Sequence, residues 1–233
     1  MEIEQIRKKL IRLRDKKRAI REKGYLKSPY EFYGVSLPNV RLISKEMKNI
    51  EFNHALKLID KLWNSGKHEE MWLALHVLAY HVKEHGAEAW KFMMKRLSKA
   101  ETWDLTDEMS GHVLGPILAG DTSLINEIKK LSESKNPWLR RISIVTSGNL
   151  IRDNKIDLTL RLAEKLVYDE NIYVQKGAGW MLREAGKKNR LAIRKFILTH
   201  MDMRPQAFSY ATEKMTELRK IRKSRIKEEK RKL

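Results

Sequence analysis

The chain has 233 residues, with 49 Lys and Arg against 30 Asp and Glu for a formal charge of +19, and it contains no cysteine. That length allows one large domain or two small ones around a substantial core, and the missing cysteine excludes disulfides, thiolate nucleophiles and Cys-ligated zinc or iron–sulfur centres. The positive excess points to a polyanionic partner, nucleic acid ahead of a membrane surface, with a basic proteome bias as the bland alternative.

The N-terminal MEIEQIRKKL is amphipathic and charged rather than a secretory leader, and no window approaches the roughly 18 apolar residues of a membrane span. These features point to a soluble intracellular protein. Residues 1–24 and 213–233 each carry a net +6, leaving +7 for everything between. Ile3, Ile6, Leu10, Leu13 and Ile20 recur at mostly helical spacing and predict one amphipathic helix. Phe52, Ala55, Leu56, Ile59, Leu62 and Trp63 mark a second stripe, and MWLALHVLAYHV (71–82) is apolar nearly all round, as a helix buried between neighbours would be. Further helices are expected at 87–99, 104–118, 122–133, 137–150, 157–168, 171–185, 189–200 and 205–220, with breaks at Gly66, Gly86, Gly120, Pro137, Gly186 and Pro205. No convincing strand emerges.

Short joints between helices imply antiparallel pairs, and the pair-to-pair period of about 35–40 residues lies in the HEAT-like range. The expected fold is all-α, a curved solenoid of antiparallel helix pairs with a concave basic surface suited to a duplex. Residues 1–218 are expected to form one domain. Beyond Leu218, the basic tail 219–233 has only Ile221, Ile226 and Leu233 to bury. It reads as a solvated helix able to settle onto phosphates, or equally as a disordered solubilising tail.

ETWDLTDEMS (101–110) sets two carboxylates beside an aromatic in this polycation. Thr102 or Asp104 could cap the helix that follows, and acids in a first turn complement its macrodipole. Capping leaves Trp103 and Asp107 unexplained; four apart, they project from one face. NPWLRR (136–141) opens another helix with Pro137, Trp138, Arg140 and Arg141, and an arginine there could reach a phosphate, a carboxylate or only solvent. VQKGAGWMLRE (174–184) places Gly177 and Gly179 in a helix before Trp180, each costing about 1 kcal/mol against alanine. Such glycines serve tight helix packing or the close approach of another backbone, including DNA. His81 and His85 have metal-compatible spacing, but HVKEH lacks the HExxH glutamate and a third ligand, so both read as ordinary histidines.

Four ordered blocks together resemble the DNA alkylation repair family of AlkD-type, HEAT-like-repeat DNA glycosylases. YLKSPYEFYGVSLPNVR (25–41) is similar to its N-terminal block, TWDLTD (102–107) to its W-D-x-x-D segment, and NPWLRR and YVQKGAGWMLRE (173–184) to its two later signatures. The resemblance spans about Tyr25 to Tyr210. It implies that Asp107 is the catalytic carboxylate, that Trp103, Trp180 and Tyr25 contact the damaged nucleotide, and that Arg141 is the basic residue beside the acid. Arg140 and Lys176 are further expected DNA contacts, and Asp104 a structural acid acting through helix capping. The implied activity is monofunctional hydrolysis of the N-glycosidic bond of cationic N3- or N7-alkylated purines in double-stranded DNA, without base flipping, metal or other cofactor. A cytoplasmic, nucleoid-associated monomer is expected. The competing expectation is a non-catalytic HEAT-like DNA-binding or scaffold protein.

Overall fold

The computed structural model describes residues 2–232, with side chains described through residue 228. Leu233, one of the tail's three apolar residues, lies outside the described residues. The fold is all-α: among the described residues the only extended pairing is an isolated bridge between Glu31 and Lys67. The chain divides into two compact units, Met1–Gly120 and Asp121–Leu233.

In the first unit the helices are α1 (Ile3–Arg12), α2 (Lys16–Leu26), α3 (Leu37–Lys45), α4 (Phe52–Trp63), α5 (His68–Ala79), α6 (Gly86–Met94), α7 (Trp103–Met109) and α8 (Gly115–Gly120). A π-helical turn, Ser110–Leu114, joins the last two. The predicted N-terminal helix is therefore two helices. Asp15 takes an extended backbone and accepts the Arg18 N–H at 3.0 Å, which starts α2 afresh. The restart rotates the stripe away from the core: Ile6 and Leu10 of α1 are buried, but Ile20, beyond the restart, is 76% exposed, while Leu13 is 44% exposed where α1 ends. Helix α3 lies outside the expected helices, although Ser36, which accepts the Asn39 N–H, and Pro38 form a standard start signal. Helix α4 buries its expected stripe, except that Leu58 is buried in preference to Leu56. Helix α5 packs on α3 and α4 and is apolar nearly all round, as expected, but begins three residues earlier, at His68.

The second unit contains α9 (Ile125–Leu131), α10 (Pro137–Thr146), α11 (Gly148–Arg152), α12 (Asp157–Leu166), α13 (Ile172–Gly186), α14 (Arg190–Thr199), α15 (Pro205–Ala211) and α16 (Thr216–Lys232). The expected helix 137–150 is divided at Ser147, whose hydroxyl bonds the Ile144 carbonyl at 2.7 Å, and the expected helix 205–220 is divided after Ala211. There, the Thr212 hydroxyl donates to the Phe208 carbonyl at 2.7 Å. Helix α13 is the hub, packing against α10, α12, α14 and α15. Its Gly179 is in closest contact: a Cβ there would lie 2.4 Å from the Ala207 carbonyl oxygen and 2.7 Å from Tyr210 Cβ. Tight helix packing, rather than approach of an external backbone, accounts for this glycine.

Gly179→Ala should therefore lose about 1–3 kcal/mol to overpacking in denaturant unfolding. Gly24→Ala, at a helical position where a Cβ meets nothing within 4 Å, should gain about 0.5–1 kcal/mol from its higher helix propensity.

Candidate functional site

The first turn of α5 carries Glu69 and Glu70, both buried. A buried carboxylate is tolerable only if its oxygens are hydrogen-bonded. Glu69 accepts the N–H groups of Tyr33 (3.0 Å), Gly34 (2.6 Å) and Val35 (3.0 Å). Glu70 accepts the Tyr33 hydroxyl at 2.7 Å and both Nε and Nη2 of Arg7, at 3.1 and 3.2 Å. The turn so held has Gly34 at φ +82°, and a Cβ on it would fall 2.0 Å from the Asp15 carbonyl oxygen, so only glycine fits. This turn is the F-x-G-V segment of the sequence. It delivers Phe32 onto the buried His68, ring centroids 4.4 Å apart and nearly parallel.

His68 in turn fixes the start of α7. Its Nε2 lies 2.7 Å from Asp104 Oδ2. Thr102 is the N-cap residue by backbone geometry, but its side chain makes no capping bond, and the Asp104 carboxylate is turned toward the imidazole. The expected capping role of Asp104 is thus replaced by a side-chain pair with a buried histidine 36 residues away. One turn on, Asp107 is half-buried, as is Trp103. Tyr25, near the end of α2 and 73% exposed, meets Trp103 edge-on at 6.1 Å. Two of the expected aromatics are therefore together, beside the expected acid.

Glu108, absent from the sequence-level candidates, sits with Oε1 3.4 Å from His76 Nδ1 and 3.6 Å from His112 Nε2. These contacts reach ion-pair distance, yet the oxygen accepts no well-formed hydrogen bond. Burial pushes the Glu108 carboxyl above its usual range, and the charges of Asp104 and Asp107 push the same way, while His112 and Arg41 oppose it. Burial, then the charges of Arg41 and His112, pushes the His76 imidazole down to about 4. At neutral pH His76 is uncharged.

In the second unit, Asn136 caps α10 by accepting the Trp138 N–H at 2.9 Å, with Pro137 at the first helical position. Arg140 reaches a carboxylate: it forks onto Asp169 at 2.6 and 2.9 Å and also donates to the Ser134 and Lys135 carbonyls. Its guanidinium ties α10 to the turn before α13. Arg141 is buried, donates to the Tyr173 carbonyl, and has its Nη1 only 3.2 Å from where a Cβ of residue 177 would stand. Gly177 makes room for that arginine. Tyr173, Lys176 and Trp180 follow at three- and four-residue spacing on α13, so they share a stripe, with the Lys176 ammonium 5.9 Å from the Tyr173 ring.

His81 and His85 pack around Phe52, the latter stacked at 4.1 Å, and no group of three His, Cys, Asp or Glu among the described residues could hold a metal ion. No described helix is long and apolar enough to cross a membrane.

The acid–aromatic turn lies in the first unit and the arginine–aromatic helix in the second. The family model described as "DNA alkylation repair enzyme" matches residues 6–215, and the chain belongs to that family. Among solved structures, a predicted DNA alkylation repair enzyme from Enterococcus faecalis is similar in fold, with a TM-score of 0.76 at 19% identity over 87% of this chain and 96% of that one. No curated protein matches.

Between pH 6.5 and 4 the unfolded chain binds a proton at His76 that the folded chain excludes. This stabilising contribution is complete above pH 6.5 and lost as pH falls toward 4, to an upper bound of about 3 kcal/mol. Glu108, raised, works in the opposite sense and partly offsets the loss. Urea denaturation across this window should show a shallower acid-side decline for His76→Gln than for wild type; parallel curves would assign the decline to other groups.

Proposed function

We propose that the protein is a monofunctional DNA glycosylase that releases cationic N3- and N7-alkylated purines from duplex DNA, with Asp107 as its catalytic carboxylate. One observation carries the reading. In a chain of charge +19, the α7 turn sets Asp104, Asp107 and Glu108 directly after the Trp103 indole. Asp107 stands on the same turn, half-buried, one helical turn from an indole that Tyr25 supports edge-on.

The chemistry suits that arrangement. Alkylation at N3 or N7 makes the purine cationic and weakens the bond from N9 to the sugar C1′. When that bond breaks, its electron pair leaves with the base, which departs neutral, and the sugar becomes oxocarbenium-like, as in glycoside hydrolysis. Asp107 stabilises this developing cation and orients or deprotonates the water that bonds to C1′. The Trp103 indole face favours a cationic nucleotide by about 0.5–2 kcal/mol through cation–π attraction. No lysine lies in the Trp103–Asp107 turn to form a Schiff base, hence hydrolysis without strand cleavage.

In the second unit, Trp180 and Lys176 are assigned to the DNA backbone, on the stripe they share with Tyr173. Arg141 places a buried positive charge under the first turn of α13, and Arg140 is a positioning residue through Asp169. The basic surface holds phosphates, and the acid serves the one place where positive charge appears. Selection then rests on lability of the cationic lesion rather than on an enclosing base pocket, so bulky adducts should be tolerated.

The test is release of free base from a duplex carrying one N7-methylguanine, with EDTA present. Asp107→Asn should release at least tenfold less while binding the duplex nearly as well. Trp180→Ala should reduce both release and preference for the lesion. Tight duplex binding by wild type with no release would make the protein a DNA-binding member of its family, and equal release by Asp107→Asn would remove that carboxylate from the reaction.

A further inference from the structure

Helix α16 carries a feature that the proposed reaction does not use. Between Glu217 and Glu228 it has six cations and no acid. Its first turns are anchored within the second unit: Leu218 is buried, Arg219 donates to the Thr212 hydroxyl and the Ser209 carbonyl at 3.1 Å each, and Arg222 lies 4.3 Å over the Phe208 ring while donating to the Met203 carbonyl at 2.7 Å. Two of the six cations thus serve as anchors, and they fix the helix about its own axis.

At about 100° per residue, Lys220, Lys223 and Lys227 fall on one stripe, opposite the anchored face of Leu218 and Arg222. All three are exposed. A solvated helix face is ordinarily interleaved with acids three or four residues away. Lys223 and Lys227 have none at those positions, and the one near Lys220, Glu217, is held by Arg190 at 3.1 Å. The stripe extends about 10 Å along the axis, with its lysines at roughly 0, 4.5 and 10.5 Å. Successive phosphates of one duplex strand rise about 3.4 Å each, so flexible ammonium groups at these steps can each meet a different phosphate.

We propose that α16 is a docking arm for the phosphate backbone of duplex DNA, with Lys220, Lys223 and Lys227 as its contacts. This rests on DNA being the partner, as in the function proposed above. The arm reads no sequence, because ammonium–phosphate contacts carry none. It adds affinity for duplex and takes no part in the chemical step.

The experiment compares the full-length wild type with the triple variants Lys220→Gln/Lys223→Gln/Lys227→Gln and Lys220→Arg/Lys223→Arg/Lys227→Arg. Gln and Arg match Lys closely in helix propensity, and all three positions are exposed, so folding is preserved. Affinity for an undamaged duplex is measured against salt. Each lost phosphate contact lowers the log–log slope by about 0.9, so the Gln variant should be shallower by about 2–3 and the Arg variant unchanged. A Gln variant with the wild-type slope, or one whose affinity falls equally at every salt concentration, would overturn the arm. Free-base release, measured on the same preparations at saturating protein, separates the two proposals. Release by wild type with unaltered slopes refutes only the arm, whereas an altered slope without release from wild type refutes only the glycosylase.

Discussion

Charge taken out of water must find a partner, and in the first unit this requirement organises nearly everything around the candidate acid. Glu69 and Glu70 are buried at the start of α5, where leaving either without its donors would cost several kcal/mol. Three consecutive backbone N–H groups and a tyrosine hydroxyl from the 33–35 turn answer them, together with the Arg7 guanidinium from α1. The turn, once clamped, sets Phe32 against His68, and His68 holds Asp104 at the start of α7. The orientation of Trp103 and Asp107 therefore descends from two glutamates that never meet solvent.

The second unit solves the same problem with cations. Arg140 and Asp169 neutralise each other between α10 and the approach to α13, and Arg141 enters the core because Gly177 leaves it space. Two glycines on one helix thus have separate tasks. Gly177 admits a guanidinium and Gly179 admits the Ala207 carbonyl of α15. Each sacrifices helix propensity for a close contact: a Cβ at Gly179 would collide with the Ala207 carbonyl, and one at Gly177 would crowd the Arg141 guanidinium at 3.2 Å.

A protein this basic that keeps acids at one helical turn divides its electrostatics by task. Diffuse positive charge attracts a polyanion over long range and is weakened by salt. A carboxylate at a half-buried turn acts only at short range, where screening is least. Membership of the DNA alkylation repair enzyme family accords with both halves of that division.

The periodicity of apolar residues revealed the all-helical fold and most helix positions, because helical spacing and the Pro and Gly breaks are local properties of the chain. The start of α3 is equally local, in Ser36 and Pro38, but its apolar stripe is short. The W-D-x-x-D turn and the Gly177–Trp180 segment were recognisable as residue patterns, and the family follows from them. What only the tertiary structure decided is who partners whom. Ile20 keeps the helical spacing of a buried residue, yet the restart at Asp15 turns it to solvent. Asp104 has the position of a capping acid, yet His68 takes it. Glu69 and Glu70 look like surface acids in a first turn, and their burial depends on donors 34 to 63 residues away. Local spacing determines which segments coil; the desolvation of individual charges is settled only when distant segments meet and either supply a hydrogen bond or fail to.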